Sequence, residues 1–179
     1  MRNNRYLRID YFYKINKVIM KTTFPFDHKV YDTLEDLPAD IKELMLKAID
    51  QLDYAYAPYS GFQVGAAILL DNGEIITGCN QENASYPLCM CGERVALYNV
   101  GTRHKKFTIK ALAITANNTK KTLTEACMPC GACRQVIQEF EQRQKAPIPL
   151  YLSSLGHYTI GLEGVGDLLP VSFSIDHLL

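Results

Sequence analysis

The reactive side chains of this sequence fall in two short clusters. Cys91, Gly92 and Glu93 form CGE, and PCGAC runs from Pro129 to Cys133. Each cluster stands where an apolar pattern of helical period begins, so each is read as opening a helix. A helix start leaves backbone N–H groups unpaired and carries partial positive charge, which favours thiolate over thiol and prepares a cysteine to bind metal. Two such starts can meet around one ion. With Cys91, Cys130 and Cys133 as thiolates and one position left open, the set has the ligand count of a catalytic zinc, whereas a structural zinc usually closes with four protein ligands. Glu93, two residues past its cysteine, is too close to be a comfortable second ligand but can reach the open position, which suits a proton shuttle. A glutamate in a first helical turn is ordinarily just well placed against the macrodipole. Its company is what points to chemistry.

The chain has six cysteines. Cys79 stands apart, Cys89 and Cys91 are a close pair, and Cys127, Cys130 and Cys133 are evenly spaced. Disulfides are one use for them, but in an intracellular chain with a real core, clustered cysteines more often bind metal or catalyse. A closed site of Cys127, Cys130, Cys133 and either Cys89 or Cys91 stays open on residue types alone. Its spacing is unusual, since zinc ribbons bring pairs together across about 12 to 20 residues in regions with little other core. A redox CxxC at Cys130 and Cys133 explains neither Cys91 nor Glu93.

The elements that must position these groups are legible around them. From Asp40 the residues Ile41, Leu44, Met45, Ala48, Ile49, Leu52 and Tyr56 recur at helical intervals, with Pro38 at the start and a stop expected at Ala57 and Pro58. The runs Val64 to Leu70 and Glu74 to Asn80 flank Asp71, Asn72 and Gly73, whose turn chemistry suits a short hairpin. Ile109 to Thr115 and Pro149 to Leu152 read as later strands. Helices are expected from about Cys91 to Val100 and from about Gly131 to Gln142. Strands alternating with helices give an α/β layered domain.

A chain of 179 residues, 47% hydrophobic, suits one globular domain, and 19 basic residues balance 19 acidic ones. No global field draws in a polyanion, and the lack of tryptophan further lowers the case for nucleic acid. No run approaches the roughly 18 apolar residues of a membrane span, and no secretory h-region opens the chain, so a cytoplasmic protein is expected. Residues 1–20 read as an extension, basic through Arg2, Arg5, Arg8, Lys14 and Lys17 against Asp10 alone, with no sustained helical or strand period. A disordered arm, an upstream start codon with Met20 as the true start, or a serine-free transit segment are its readings. The domain proper is placed at 21–179.

The segments YAPYSGFQVGAAIL, GCNQENASYP, CGERVAL and PCGACRQVIQEF, in that order between about Tyr54 and Phe173, resemble the homotetrameric zinc-dependent cytidine deaminase family. That resemblance implies a three-layer α/β/α fold with a mixed sheet of about five strands. It implies hydrolysis at C4 of cytosine in free cytidine and deoxycytidine, in pyrimidine salvage, with zinc activating water and Glu93 carrying protons to N3 and then to the leaving ammonia, as is general for zinc deaminases. Within it Phe62 packs on the base, and Asn80 and Glu82 hydrogen-bond the ribose at its 3′ side. Ala84 and Tyr86 reach a neighbouring subunit's site, and Phe173 is the C-terminal aromatic that closes over substrate from an adjacent chain. Gly92 stands where the family has alanine, and its carbonyl is assigned to the cytosine amino group. Cys91 is preferred to Cys89 as ligand because a slipped register would put Glu93 four residues away. Arg94 and Arg134, each directly after a site residue, are candidates to donate N–H groups to sulfur and drain charge from a three-thiolate site. A nucleoside is preferred to its 5′-nucleotide, since no Gly-rich phosphate loop or arginine cluster accompanies these motifs. A deaminase of the same fold acting on another amine, a nucleic-acid editing protein and a noncatalytic zinc-stabilised interaction domain are the competing readings.

Overall fold

The computed structural model describes residues 9–15, 18–24 and 26–178, with side chains from residue 26 onward. Strands β1 (Ile9–Ile15) and β2 (Val18–Phe24) pair with each other, antiparallel, in a sheet of their own. The extension therefore contributes nothing to the main sheet through its strands. The register sets Ile9, Tyr11, Tyr13 and Ile15 opposite Phe24, Thr22, Met20 and Val18, so paired strands lie where the sequence was read as having no sustained period.

The main sheet has six strands, one more than expected, in the order β3-β8-β7-β6-β4-β5. These are β3 (Lys29–Tyr31), β4 (Phe62–Leu70), β5 (Ile75–Cys79), β6 (Ile109–Asn118), β7 (Leu150–Leu152) and β8 (Thr159–Leu162). The two strands not among the four read from the residues, β3 and β8, are short and pair with each other at one side, too brief to show a period of their own. Helices α1 (Ala39–Asp50), α2 (Gly92–Arg103) and α3 (Gly131–Gln144) complete the layers.

Strand alternation decides which layer each residue serves. Ala66, Ile68 and Leu70 of β4 join Leu112, Ile114 and Ala116 of β6 in a core under α2 and α3, while Ala67, Ala111 and Ala113 face α1 with Ile41, Leu44, Met45 and Ala48. The α1 face is built from small residues, and α1 lies close. A Cβ on Gly65 would come within 2.0 Å of the Ala48 carbonyl oxygen, so only glycine fits that crossing. Helix α1 ends earlier than its apolar spacing suggests, tightening at Gln51–Tyr54 into a 3₁₀ turn and leaving Tyr56 exposed. The carbonyls freed there are taken up by the sheet: Gln63 Nε2 donates to Leu52 O at 3.0 Å, and the Cys79 thiol donates to Tyr54 O at 3.3 Å. Cys79 is thereby a buried structural thiol.

One feature of this topology creates the site. Both β5 and β6 run antiparallel to β4, which lies between them, so they point the same way and their following loops emerge at the same end of the sheet. The helices that follow those loops, α2 and α3, begin there.

The far end of α3 is fastened by Glu141, whose Oε1 accepts from Ile148 N and Val165 N, each at 2.9 Å. Glu141→Ala orphans two N–H groups and is expected to cost roughly 1–3 kcal/mol of unfolding free energy, read from urea melts. Glu141→Gln, which keeps an acceptor oxygen, should recover most of that loss; equal losses in both would show that the two bonds contribute little.

Candidate active site

Cys91 is the N-cap of α2 and Cys130 the N-cap of α3, both with extended backbone, and Cys133 lies fully buried in the first turn of α3. Among the described residues these three bring their sulfurs within 4.8 Å of one another, and no such group includes Cys89 or Cys127. Cys91 Sγ stands 3.9 Å from Cys130 Sγ, which stands 3.4 Å from Cys133 Sγ. Tetrahedral zinc with sulfur at about 2.3 Å requires sulfurs about 3.8 Å apart, so the trio fits that ion. The trio also has the electrostatics of a set made for a cation. A hydrogen bond from Cys133, reinforced by Arg94, lowers the Cys91 thiol to about 5, and the same bond with burial pushes Cys133 up.

Glu93 follows in the first turn of α2, only 4% exposed, and its Oε2 has no hydrogen-bond partner. Burial is the main cause that raises its pKa, and the Cys91 thiolate adds to it. A buried, unpartnered carboxyl beside three sulfurs is costly to keep unless it has work there.

Cys91, Cys130 and Glu93 line a cleft of about 320 Å³, within the usual range for small ligands, whose walls include Phe62, Asn80 and Glu82. Asn80 is buried and ties down the start of β4: Val64 N donates to its Oδ1 and its Nδ2 donates to Phe62 O, both at 2.8 Å. Glu82 accepts from Tyr59 N at 2.9 Å and from Ser60 Oγ at 2.5 Å, and the Ser60 bond above all lowers its pKa. Ser60, which sequence reasoning passed over, also accepts from Phe62 N at 2.9 Å and lines the cleft. Lys120 secures the same turn from outside through the Tyr59 carbonyl. The one available signal was Gly61, whose φ of +71° marks a tight turn just before Phe62.

Gly92 corrects an expectation. Its carbonyl belongs to the first turn of α2, pointing along the helix; a Cβ on Gly78 would lie 2.9 Å from it and 2.5 Å from Ala96 N. The backbone group that α2 leaves over is the N–H, as at any helix start. A methyl on Gly92 would meet the Val64 carbonyl oxygen at 2.8 Å, so glycine lets α2 close down on β4 where the family's alanine would force a shift.

Ala84, Tyr86 and Phe173 do not line the cleft of their own chain. Ala84 is exposed, Tyr86 meets Tyr59 edge-on at 5.8 Å, and Phe173 stacks on His177 at 5.4 Å. The two arginines divide. Arg94 Nη2 donates to Cys91 Sγ at 3.5 Å, whereas Arg134 gives Nε to Pro129 O at 2.8 Å and Nη1 to Leu168 O at 3.0 Å. Arg134 thus holds the loop before Cys130 against the C-terminal segment, and no bond runs from it to sulfur.

Arg94→Gln removes the cation that helps hold Cys91 as thiolate. Cys91 is competent to bind metal above its lowered pKa and loses competence as pH falls through it; removing Arg94 raises that pKa. The variant should hold zinc at neutral pH, work more slowly, and release zinc at a higher pH than the parent when titrated with acid. An unchanged release midpoint would return Arg94 to a packing role.

Comparison with known proteins agrees with this geometry. Residues 38–146 match the family model for the cytidine and deoxycytidylate deaminase zinc-binding region. The chain is 39% identical over 140 residues to a cytidine deaminase of Sporosarcina psychrophila, covering 78% of this chain and 95% of that one. It is 38% identical over 127 residues to a cytidine deaminase of Mycobacterium tuberculosis, covering 69% and 82%. Among solved structures, the cytidine deaminase of Burkholderia pseudomallei superposes with a TM-score of 0.62 at 37% identity, covering 73% of this chain and 97% of that one. With the family model spanning more than half of its length and the three-thiolate centre in place, the chain belongs to the cytidine and deoxycytidylate deaminase zinc-binding family.

Proposed function

We propose that this protein hydrolytically deaminates cytidine and deoxycytidine to uridine and deoxyuridine, releasing ammonia, as a cytoplasmic enzyme of pyrimidine salvage. The observation that carries the reading is Glu93, buried with a free Oε2 at the mouth of a zinc-competent trio of thiolates. Cys91, Cys130 and Cys133 would hold zinc, which supplies a Lewis acid able to bring water toward ionisation near neutral pH.

The chain's own groups do the rest. Glu93, its pKa raised by burial, is placed to carry a proton taken from water to N3 of the base, and another to the departing amine nitrogen. Water's oxygen bonds to C4 and its two protons pass to N3 and the exocyclic nitrogen, so that the C4–N bond breaks, ammonia leaves and C4 becomes a carbonyl. The Gly92 N–H and the positive end of α2 favour oxygen on the base's edge. Phe62 supplies an apolar wall. Asn80 spends one amide hydrogen on Phe62 O and keeps a second for the sugar, while Glu82, held ionised by Ser60 and the Tyr59 N–H, accepts from a ribose hydroxyl. A phosphate near that carboxylate is repelled, so nucleosides are preferred to nucleotides.

Tyr86, Leu88, Val171 and Phe173 are each more than half exposed, and apolar side chains so exposed suit burial between subunits. A homotetramer in which Ala84, Tyr86 and Phe173 serve neighbouring sites is part of the same reading. No helix among the described residues is long and apolar enough to cross a membrane.

The decisive experiment incubates purified protein with cytidine, deoxycytidine and cytidine monophosphate, following loss of cytidine absorbance alongside zinc content. Turnover of both nucleosides with about one zinc per chain, and a much lower kcat/KM for the monophosphate, is expected. Active protein without zinc would remove the mechanism, and equal kcat/KM for cytidine and its monophosphate would remove the roles of Asn80 and Glu82.

A further inference from the structure

The turn that carries Ser60 is not held by burial, since Pro58, Tyr59 and Ser60 are all exposed. A segment with few buried contacts keeps its shape through its hydrogen bonds. Two of those bonds come from the residues that follow β6. Thr119 N donates to Gly61 O at 2.9 Å and Lys120 Nζ donates to Tyr59 O, so the carbonyls of both residues flanking Ser60 are gripped from one side. The Lys120 stem lies over the turn: a Cβ on Gly61 would lie 3.0 Å from its Cγ and 3.1 Å from its Cε. Asn118 fixes the base of that stem, its Oδ1 accepting from Lys120 N at 2.9 Å.

One peptide unit joins Lys120 to Glu82. Its oxygen, Tyr59 O, accepts from the ammonium, and its nitrogen, Ser60 N, donates to Glu82 Oε2 at 3.3 Å. A cation on the carbonyl polarises the amide and makes its N–H a stronger donor toward a carboxylate. The Ser60 side-chain bond is the chief cause that lowers the Glu82 pKa, and the Lys120 charge contributes to it. Tyr59 N and Ser60 N occupy Oε2, and Ser60 Oγ takes one side of Oε1. Of the roughly four acceptor positions on a carboxylate, the one left for a substrate hydroxyl is therefore on Oε1, and the turn decides where it points.

We propose that Lys120 is a positioning residue for sugar recognition: acting through the Tyr59–Ser60 peptide, it strengthens and aims the donors that hold Glu82 toward a substrate hydroxyl. The inference rests on the nucleoside reading above. Lys120 touches no reacting atom and leaves the chemistry at C4 unchanged.

The test measures kcat and KM for deoxycytidine and for 2′,3′-dideoxycytidine, which lacks the 3′ hydroxyl, in the parent protein and in Lys120→Met and Lys120→Arg. Methionine keeps an unbranched stem over Gly61 and removes the charge. Lys120 is exposed, so both variants should melt like the parent. In Lys120→Met the KM for deoxycytidine should rise at least about fivefold with kcat within about twofold, while both constants for the dideoxy compound change by less than about twofold, on the scale of a weakened hydrogen bond to a charged group. Lys120→Arg, whose guanidinium can still donate to Tyr59 O, should restore most of the difference. Equal losses on both compounds, an unchanged KM for deoxycytidine, or Lys120→Arg no better than Lys120→Met would overturn the inference while leaving deamination intact. Failure of the parent to deaminate deoxycytidine at all would instead overturn the proposed function, and this inference with it.

Discussion

Glu93→Gln is expected to retain zinc and fold while losing between about 10² and 10⁴ of the turnover rate, the range that a positioned acid–base group supplies. Zinc should stay because the glutamate is outside the group of three sulfurs that satisfies the ion's geometry. The same substitution should raise the melting temperature at neutral pH. Oε2 is buried without a partner, and burial holds its proton more tightly in the folded chain than in the unfolded one. Above its ordinary range, the folded protein must either retain that proton or bury a charge, and both cost stability that an amide avoids. A gain in stability coupled to a loss of turnover is the signature of a residue kept for chemistry. If turnover stayed within a few fold of the parent, Glu93 would be a helix-start residue and nothing more.

The parts of the site that were legible in the sequence are those fixed by local geometry. A cysteine at an N-cap followed by glycine and glutamate, and a second cysteine pair opening another helix, carry their positions within a single turn, so Cys91, Glu93, Cys130 and Cys133 could be placed before any fold was known. The α/β layering was legible through the long apolar runs of β4 and β6, which are buried on both faces. What failed to show depends on partners distant in sequence. Strands β3 and β8 are short and exist because β8 finds β7 and β3 finds β8, far along the chain. Ser60 earns its place only through Glu82, and Arg134 is drawn from sulfur by the carbonyl of Leu168, far along the chain. The Gly92 assignment failed differently: a helical carbonyl points toward the C-terminus of its helix, a rule available from the sequence once Cys91 is read as the cap.

Cys133→Ser should abolish both zinc and activity, and the contrast with its neighbours decides what kind of centre this is. Cys133 is fully buried beneath the first turn of α3, where no solvent or neighbouring thiol can take over its place in the trio. Hydroxyl oxygen is a poor replacement for thiolate on zinc, and binding at structural zinc sites is worth on the order of 10–16 kcal/mol, so even a partial loss of ligand strength removes the ion under chelation. Zinc per chain should fall to near zero after dialysis against a chelator, the melting temperature should fall to that of the stripped parent, and added zinc should restore neither. Cys127→Ser and Cys89→Ser should behave oppositely, keeping zinc, because neither sulfur joins the trio. The Cys127 thiol, pushed up to about 11 chiefly by burial, remains protonated through the neutral range and does not compete for the ion. Loss of zinc from Cys127→Ser as complete as from Cys133→Ser would mean a closed centre of four thiolates, with no open position for water and no role for Glu93 in moving protons.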